Sequence, residues 1–334
     1  MDRDREGTRL EDIGFYTLSD ARAASASASS PLWRCEMILT DLCNLRCRYC
    51  RGLCPELRGD MPADQAMRTL DLWIAEGLRN VRFSGGEPTL HPALGELVDR
   101  CREGGVERIA VSTNGTAKID AYHRLVDRGV NDLSVSLDGG CCAVGDRMAG
   151  RAGAWAKAVR TIREMSRRTY VTVGMVFTED NVGGCEEAVR FASGLGAADI
   201  RVIPAAQYSK ALASLDGLPP AVLARHPILR YRVRNAATGR PVRGLGPANC
   251  RRCRLALDDM AVAGRWHFPC IIHLREGGGP IGEVGPGMRE ERAKWVEAHD
   301  SLTDPICRNN CLDVCADYND RAGASADGRQ LEGG

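Results

Sequence analysis

Six short apolar stretches recur along the first two-thirds of the chain. They are CEMILT (35–40), NVRFS (80–84), RIAVS (108–112), DLSVSL (132–137), YVTVGMVF (170–177) and DIRVIP (199–204). Each is short and rich in β-branched residues, which favours a buried strand over a helix. Between them apolar residues return every three or four positions, as in ADQAMRTLDLWIAEGL (63–78) and GAWAKAVRTIREM (153–165), the pattern of amphipathic helices. Strands alternating with helices predict a parallel sheet, because parallel strands need long crossovers and those are usually helical. The strand runs read as nearly continuous in apolar character, as expected of strands covered on both faces. Six units fall short of the eight of a complete barrel. The expected fold is α/β, a partial (β/α)6 TIM-like barrel over residues 32–205.

The flanks read differently. ARAASASASS (21–30) is built of small residues and predicts a flexible N-terminal arm over 1–31, and RAGASADGRQLEGG predicts a flexible tail over 319–334. After Pro204 the periodicity dissolves into LDGLPPAVLARHP and ATGRPVRGLGP, which predicts a linker over 206–245. A small cysteine-bearing domain is expected over 246–318.

Composition narrows the function classes. A net charge of +1 on 334 residues offers no electrostatic footprint for nucleic acid or an anionic membrane. No apolar run approaches membrane-spanning length, and the opening MDRDREGTRLED has no secretory apolar core. The expectation is a soluble cytoplasmic protein. Fifteen cysteines are many for that compartment, and they cluster. Cys35, Cys43, Cys47, Cys50 and Cys54 come early; Cys250, Cys253, Cys270, Cys307, Cys311 and Cys315 come late. Clustering suits two metal sites better than a disulfide framework. Cys101, Cys141, Cys142 and Cys185 lie between and are expected to be buried or half-buried small residues.

In parallel α/β folds, functional groups collect on loops at the carboxyl ends of strands. Here those loops carry CNLRCRYC (43–50), Gly85-Gly86-Glu87-Pro88, Ser112-Thr113-Asn114-Gly115 and Ser136-Leu137-Asp138-Gly139. The C-x3-C-x2-C loop with GGEP and the two later polar segments resembles the radical S-adenosylmethionine (radical SAM) enzymes over about residues 35–205. The resemblance implies that Cys43, Cys47 and Cys50 hold three irons of a 4Fe–4S cluster, leaving the fourth iron open to SAM. An electron entering there cleaves the sulfonium to a 5′-deoxyadenosyl radical, which takes hydrogen from an unactivated C–H bond. It further implies that Tyr49 flanks the adenine, that Gly85, Gly86 and Glu87 hold the methionyl ammonium, and that Ser112, Asn114, Ser136 and Asp138 contact SAM. Asn181 is a weaker candidate of the same kind. Cys35 and Cys54 match no ligand position.

The late group reads ANCRRCRLALDDMAVAGRWHFPC and then DPICRNNCLDVCADYN. Zinc is one reading of the C-x2-C pair. The order Cys253, Gly264, Cys270 and a distant C-x3-C-x3-C resembles instead the auxiliary-cluster domain called Twitch, a shortened form of SPASM. AVAGRWHFPC looks like a short hairpin that places Cys270 opposite Cys253. That resemblance implies a second 4Fe–4S cluster on Cys253, Cys270 and two of Cys307, Cys311 and Cys315. It departs from the family pattern in the Gly264–Cys270 spacing and in its surplus of thiols. A spare thiol such as Cys250 is a candidate hydrogen donor. His273, Arg275 and Glu276 follow Cys270 and are read as substrate-orienting groups or as a solvated turn.

The resemblance implies an electron donor such as flavodoxin or ferredoxin. The preferred expectation is hydrogen abstraction from a polar small molecule, a sugar, aminocyclitol or nucleoside sugar, in secondary-metabolite or antibiotic biosynthesis. The reaction expected is dehydrogenation or epimerisation, with radical decarboxylation of a sugar acid as an alternative. A peptide (RiPP) maturase is a further alternative, weighed down because the first strand starts near residue 35 and leaves no room for a preceding peptide-recognition domain. A non-catalytic metal scaffold has nothing in the motifs to favour it.

Overall fold

The computed structural model describes residues 9–14, 18–50, 56–205, 212 and 215–332. Six parallel strands form its centre: β1 (Arg34–Thr40), β2 (Asn80–Gly85), β3 (Arg108–Thr113), β4 (Asp132–Ser136), β5 (Tyr170–Phe177) and β6 (Asp199–Pro204). Each lies within one residue of its expected bounds. Helices α1 (Asp20–Ser25), α2 (Ala63–Ala75), α3 (Leu94–Glu103), α4 (Ile119–Arg128), α5 (Cys142–Ala149), α6 (Ala154–Met165) and α7 (Cys185–Gly194) follow in chain order. The result is the expected partial barrel of α/β type.

The sheet does not stop at six strands. β7 (Asp259–Ala263), β8 (Trp266–Phe268) and β9 (Gly282–Glu283) continue it in the order β6-β5-β4-β3-β2-β1-β7-β8-β9. β7 runs parallel to β1, pairing Arg34 with Asp259 and Ile38 with Ala263. The expected hairpin is therefore present, with Gly264 at φ +56° in its turn, and it is welded to the barrel by strand pairing.

The strands are two-faced, which corrects the expectation of runs apolar on both sides. Met37, Leu39, Val81, Phe83, Val111, Leu133, Val173, Met175 and Val202 are buried with Leu70, Trp73, Leu97, Ile162 and Val189 of the helices. Burial of each large side chain of this kind contributes roughly 1.5–3 kcal/mol. The alternate positions are Glu36, Arg82, Ser84, Ser112, Ser134, Ser136, Gly174 and Arg201, and with a period of two they share the other, inner face. Serine and threonine between β-branched residues pass for an apolar run when polarity is averaged over a window; position by position they alternate.

Three flanking expectations are also corrected. Residues 18–31 are not a loose arm: Ser19 caps α1 by accepting from Arg22 N at 3.0 Å. Leu10, Ile13, Leu18 and Ala23 are buried against Tyr231, Val314 and Tyr318. The small side chains read as low complexity are what let α1 pack closely. The linker region holds helices Pro220–Arg225 and Pro227–Ala237, the second with Ile228 and Leu229 buried. Its prolines, read as breakers, start those helices, since the first turn needs no N–H from them. The tail belongs to helix Asp313–Glu332, in which Tyr318, Asn319 and Ala322 are buried. Among the described residues no helix is long and apolar enough to cross a membrane.

Candidate active site

The CNLRCRYC loop leaves the carboxyl end of β1 and is clamped from two sides. Gly86 N donates to Thr40 O at 2.7 Å and Glu87 N to Leu42 O at 2.8 Å. A Cβ on Gly85, which sits at φ +139°, would lie 2.3 Å from Thr40 O, and one on Gly86 2.2 Å from Leu42 O. Only glycine allows this approach. On the other side Arg46 N and Arg48 N donate to Ala149 O and Met148 O at the end of α5, at 3.0 and 3.1 Å. The glycines are thus explained by the fit of the loop against its neighbours, before any ligand is considered.

Cys43 and Cys50 are exposed, Cys47 is half-buried, and all three are free thiols. Burial, the Asp138 carboxylate and the two neighbouring thiols push Cys47 up to about 12. Burial likewise raises Cys43, opposed by hydrogen bonds from Leu45 N and the Asn114 side chain. These donors reach Cys43 Sγ at 3.4 and 3.8 Å. Cys43 and Cys47, raised side by side, favour a cationic centre beside them, since a metal is what lets such thiols ionise. Cys54 lies outside the described residues.

The polar residues expected at the site hold the loops together. Glu87 is buried: its Oε1 accepts from Thr113 Oγ1 at 2.7 Å and Thr89 Oγ1 at 2.6 Å, its Oε2 from Asn114 N at 2.7 Å. Asn114 Nδ2 donates to Asn44 Oδ1 at 2.8 Å, joining the β3 loop to the cysteine loop. Tyr49 donates its hydroxyl to Asp138 Oδ2 at 2.8 Å, while Asp138 Oδ1 accepts from Val176 N at 2.7 Å. Burial raises Asp138 to about 6. Asn181 donates to Asp138 O at 3.0 Å and Val176 O at 2.8 Å and serves as a loop staple. Ser112 accepts from Arg82 Nη1 at 3.1 Å. Ser136 is exposed at the end of β4.

The late cysteines meet elsewhere. Cys250, Cys253, Cys270, Cys307, Cys311 and Cys315 line one cavity. The antiparallel hairpin brings the segment before β7 and the segment after β8 to the amino end of β1. The strand's seven residues, at ~3.3 Å each, separate this cavity from CNLRCRYC by roughly 20 Å. Burial pushes Cys270 up to about 12, and Cys253, Cys307, Cys311 and Cys315 are all raised by burial. Donors approach the sulfurs: Asn319 Nδ2 lies 3.6 Å from Cys253, His273 N 3.5 Å from Cys270, and His299 Nε2 3.5 Å from Cys307. Cys250 sits in the wall of this cavity, where a Cβ on Gly323 would lie 2.9 Å from its sulfur. It lies in the segment before β7 and belongs to no strand of the sheet.

Among the described residues His299, Asp304 and Cys307 offer ligand atoms that lie within 4.8 Å of one another.

His273 is buried, with Nε2 3.9 Å from Asp304, rather than part of a solvated turn. Arg275 reaches Glu36 on β1 at 3.8 Å, and Glu276 pairs with Arg243 at 3.6 Å. Cys141 and Cys142 are exposed, against expectation, and Cys101 and Cys185 are buried. Sequence reasoning missed Asn44, Asn319, His299 and the charged inner face. Only the inner face had a legible signal, the alternation of Glu36, Arg82, Ser84, Ser112, Ser134 and Arg201 with apolar neighbours.

Comparison with known proteins bears on this arrangement. The model of the radical SAM superfamily matches residues 37–192. A GTP 3′,8-cyclase of Chlorobaculum tepidum is 33% identical over 102 residues, 30% of this chain and 31% of that protein. A PqqA peptide cyclase of Rhodopseudomonas palustris is 29% identical over 187 residues, 54% of this chain and 49% of that protein. The chain therefore spans about half or less of the length of these curated relatives. In fold it is similar to native anSMEcpe with bound AdoMet and Cp18Cys peptide, with a TM-score of 0.62 at 14% identity, covering 90% of this chain and 98% of that one. With β2 to β5 and the whole CNLRCRYC loop inside the matched span, residues 37–192 are similar to the radical SAM superfamily, a likeness that implies a 4Fe–4S cluster and S-adenosylmethionine as cofactors.

Proposed function

We propose that the protein oxidises a polar substrate bound on the inner face of its barrel, at a carbon from which hydrogen is abstracted. The observation that carries this reading is the row of charged and hydroxyl side chains on that face, Glu36, Arg82, Ser84, Ser112, Ser134 and Arg201, lying between two cysteine sites at opposite ends of β1. Cys43, Cys47 and Cys50 are proposed to hold the SAM-binding cluster, Cys253 and Cys270 with two of Cys307, Cys311 and Cys315 the auxiliary one. When bound, the first cluster and SAM supply the one-electron cleavage that yields a 5′-deoxyadenosyl radical. Asn114 and Leu45 N hold Cys43, and Tyr49, braced by Asp138, offers a ring beside the third cysteine for adenine. Exposed Ser136 and the backbone of Gly85-Gly86 offer polar contacts to SAM; Glu87 and Asp138 set the shape of that surface.

An auxiliary cluster would take the second electron of an oxidation, which places dehydrogenation ahead of epimerisation, since Cys250 belongs to no strand of the sheet. The substrate is proposed to be a small molecule. A peptide is the second reading, supported by the likeness to the PqqA peptide cyclase over 54% of this chain. The electron donor is proposed to be a flavodoxin or ferredoxin. Anaerobic reconstitution tests the core of this reading: about eight irons per chain and release of 5′-deoxyadenosine on reduction with SAM are expected. About four irons would remove the electron acceptor and the oxidation with it; no 5′-deoxyadenosine would overturn the whole reading.

A further inference from the structure

We infer that the inner face carries a subsite for an anionic group of the substrate, a phosphate or carboxylate, built by Arg201 beside a hollow at Gly174; the inference rests on the function proposed above. Arg201 Nη2 donates to Ser134 Oγ at 3.1 Å, and its Nε is shut off from solvent with no acceptor. Its neighbours Arg82 and Arg232 are cations, and burial together with them lowers Arg201 to about 10. The acidic groups that act on it, Glu36 and Asp132, each have another partner, while Asp132 Oδ1 has none. Asp132 Oδ2 accepts from Arg82 Nη2 at 3.1 Å, and Glu36 is held by the Ser84 hydroxyl and by Arg275 at 3.8 Å. A half-buried guanidinium with five donors, one of them shut off from solvent without an acceptor, is favoured by an anion that completes it.

Gly174 supplies the space. It sits inside β5 on the inner face, paired with Ser136 on one side and Arg201 on the other. It is not among the residues with positive φ, so the backbone does not require glycine. A Cβ built there would meet nothing nearer than Arg201 Nη2 at 3.8 Å and Val135 O at 4.0 Å. A glycine inside a strand weakens it and marks a place where another group approaches closely. An anion in this hollow would sit against the guanidinium with the Ser136 hydroxyl at its edge. Two sources could provide it, the substrate or the methionyl carboxylate of SAM. Arg201 turns back to Ser134, one inner-face position deeper than Ser136 and away from the loops, which favours the substrate.

The test is calorimetric titration of inorganic phosphate and of succinate into the anaerobically reconstituted holoenzyme with SAM present. Saturable binding of at least one is expected. Arg201→Met and Gly174→Leu should each weaken it at least about tenfold, the second without removing a charge. Arg201→Lys should retain part of it, and Arg68→Met, an exposed arginine paired with Asp64 on α2, should leave it unchanged. No saturable binding by the wild type, or binding as tight as wild type by Gly174→Leu and Arg201→Met, overturns the inference. So does a tenfold loss of SAM affinity in Arg201→Met, which would assign the guanidinium to SAM. Release of 5′-deoxyadenosine without substrate, followed in the same variants, reports separately on the proposed function.

Discussion

The two cysteine sites differ in how the fold treats their thiols. CNLRCRYC presents two exposed sulfurs and one half-buried one on an irregular loop, held by backbone contacts to Gly85-Gly86 and to the end of α5. The late site gathers half-buried sulfurs around a cavity walled by helices Ile271–Arg275, Pro305–Asn310 and Asp313–Glu332. The first arrangement is open and its protein frame is complete without metal. The second is enclosed by helices on several sides. Openness suits a centre that exchanges ligands, closure one that stores electrons or braces the fold, as with catalytic and structural zinc.

Removing metal ligands tests that contrast most strongly. Replacing Cys43, Cys47 and Cys50 together by alanine should lower iron by about four per chain and bring 5′-deoxyadenosine release below detection. Its far-UV circular dichroism and urea midpoint should stay near wild type, because no packed side chain is lost. Cys253→Ser with Cys270→Ser should also remove about four irons but destabilise the protein by about 2–4 kcal/mol, read from urea denaturation. Equal destabilisation by both sets would erase the distinction between an open and a closed site.

The frame of the open site is the next target. In Gly86→Ala the new Cβ would stand 2.2 Å from Leu42 O, and that carbonyl is pinned by Glu87 N. A displaced cysteine loop should cost about 10–100-fold in SAM cleavage with late-site iron intact. Glu87→Gln replaces an acceptor that serves Thr89, Thr113 and Asn114, and should destabilise by about 1–2 kcal/mol.

The remaining effect belongs to neither site. Asp199, fully buried at the start of β6, is raised by burial to about 6 from 3.8. The folded state thus binds this proton more tightly than the unfolded chain, so stability falls as pH rises from about 4 to about 6 and is level above. Asp199→Asn should flatten that part of a urea-midpoint profile while both iron counts stay at wild type.

The six barrel strands were legible because β-branched apolar runs of this length, separated by helical periodicity, have few other uses. The open cysteine triad was legible because its members lie within eight residues of one another, so local spacing alone sets their geometry. The late site was legible only in part. Its cysteines span residues 250–315, and nothing in that spacing says that β7 pairs with β1 or that Asn319 and His299 approach the sulfurs. Nor did Glu87 announce that it ties β2 to β3, or small residues in 21–30 that they pack against the C-terminal helix. Sequence alone determined what depends on neighbours along the chain: strand and helix identity, turn glycines, and a ligand triad on one loop. Tertiary structure decided what depends on neighbours across it: the strand order, the cavity of late thiols, and Arg201 beside Gly174. The reason is that burial and hydrogen-bond partnership are properties of pairs of segments, and a single chain read end to end does not list its pairs.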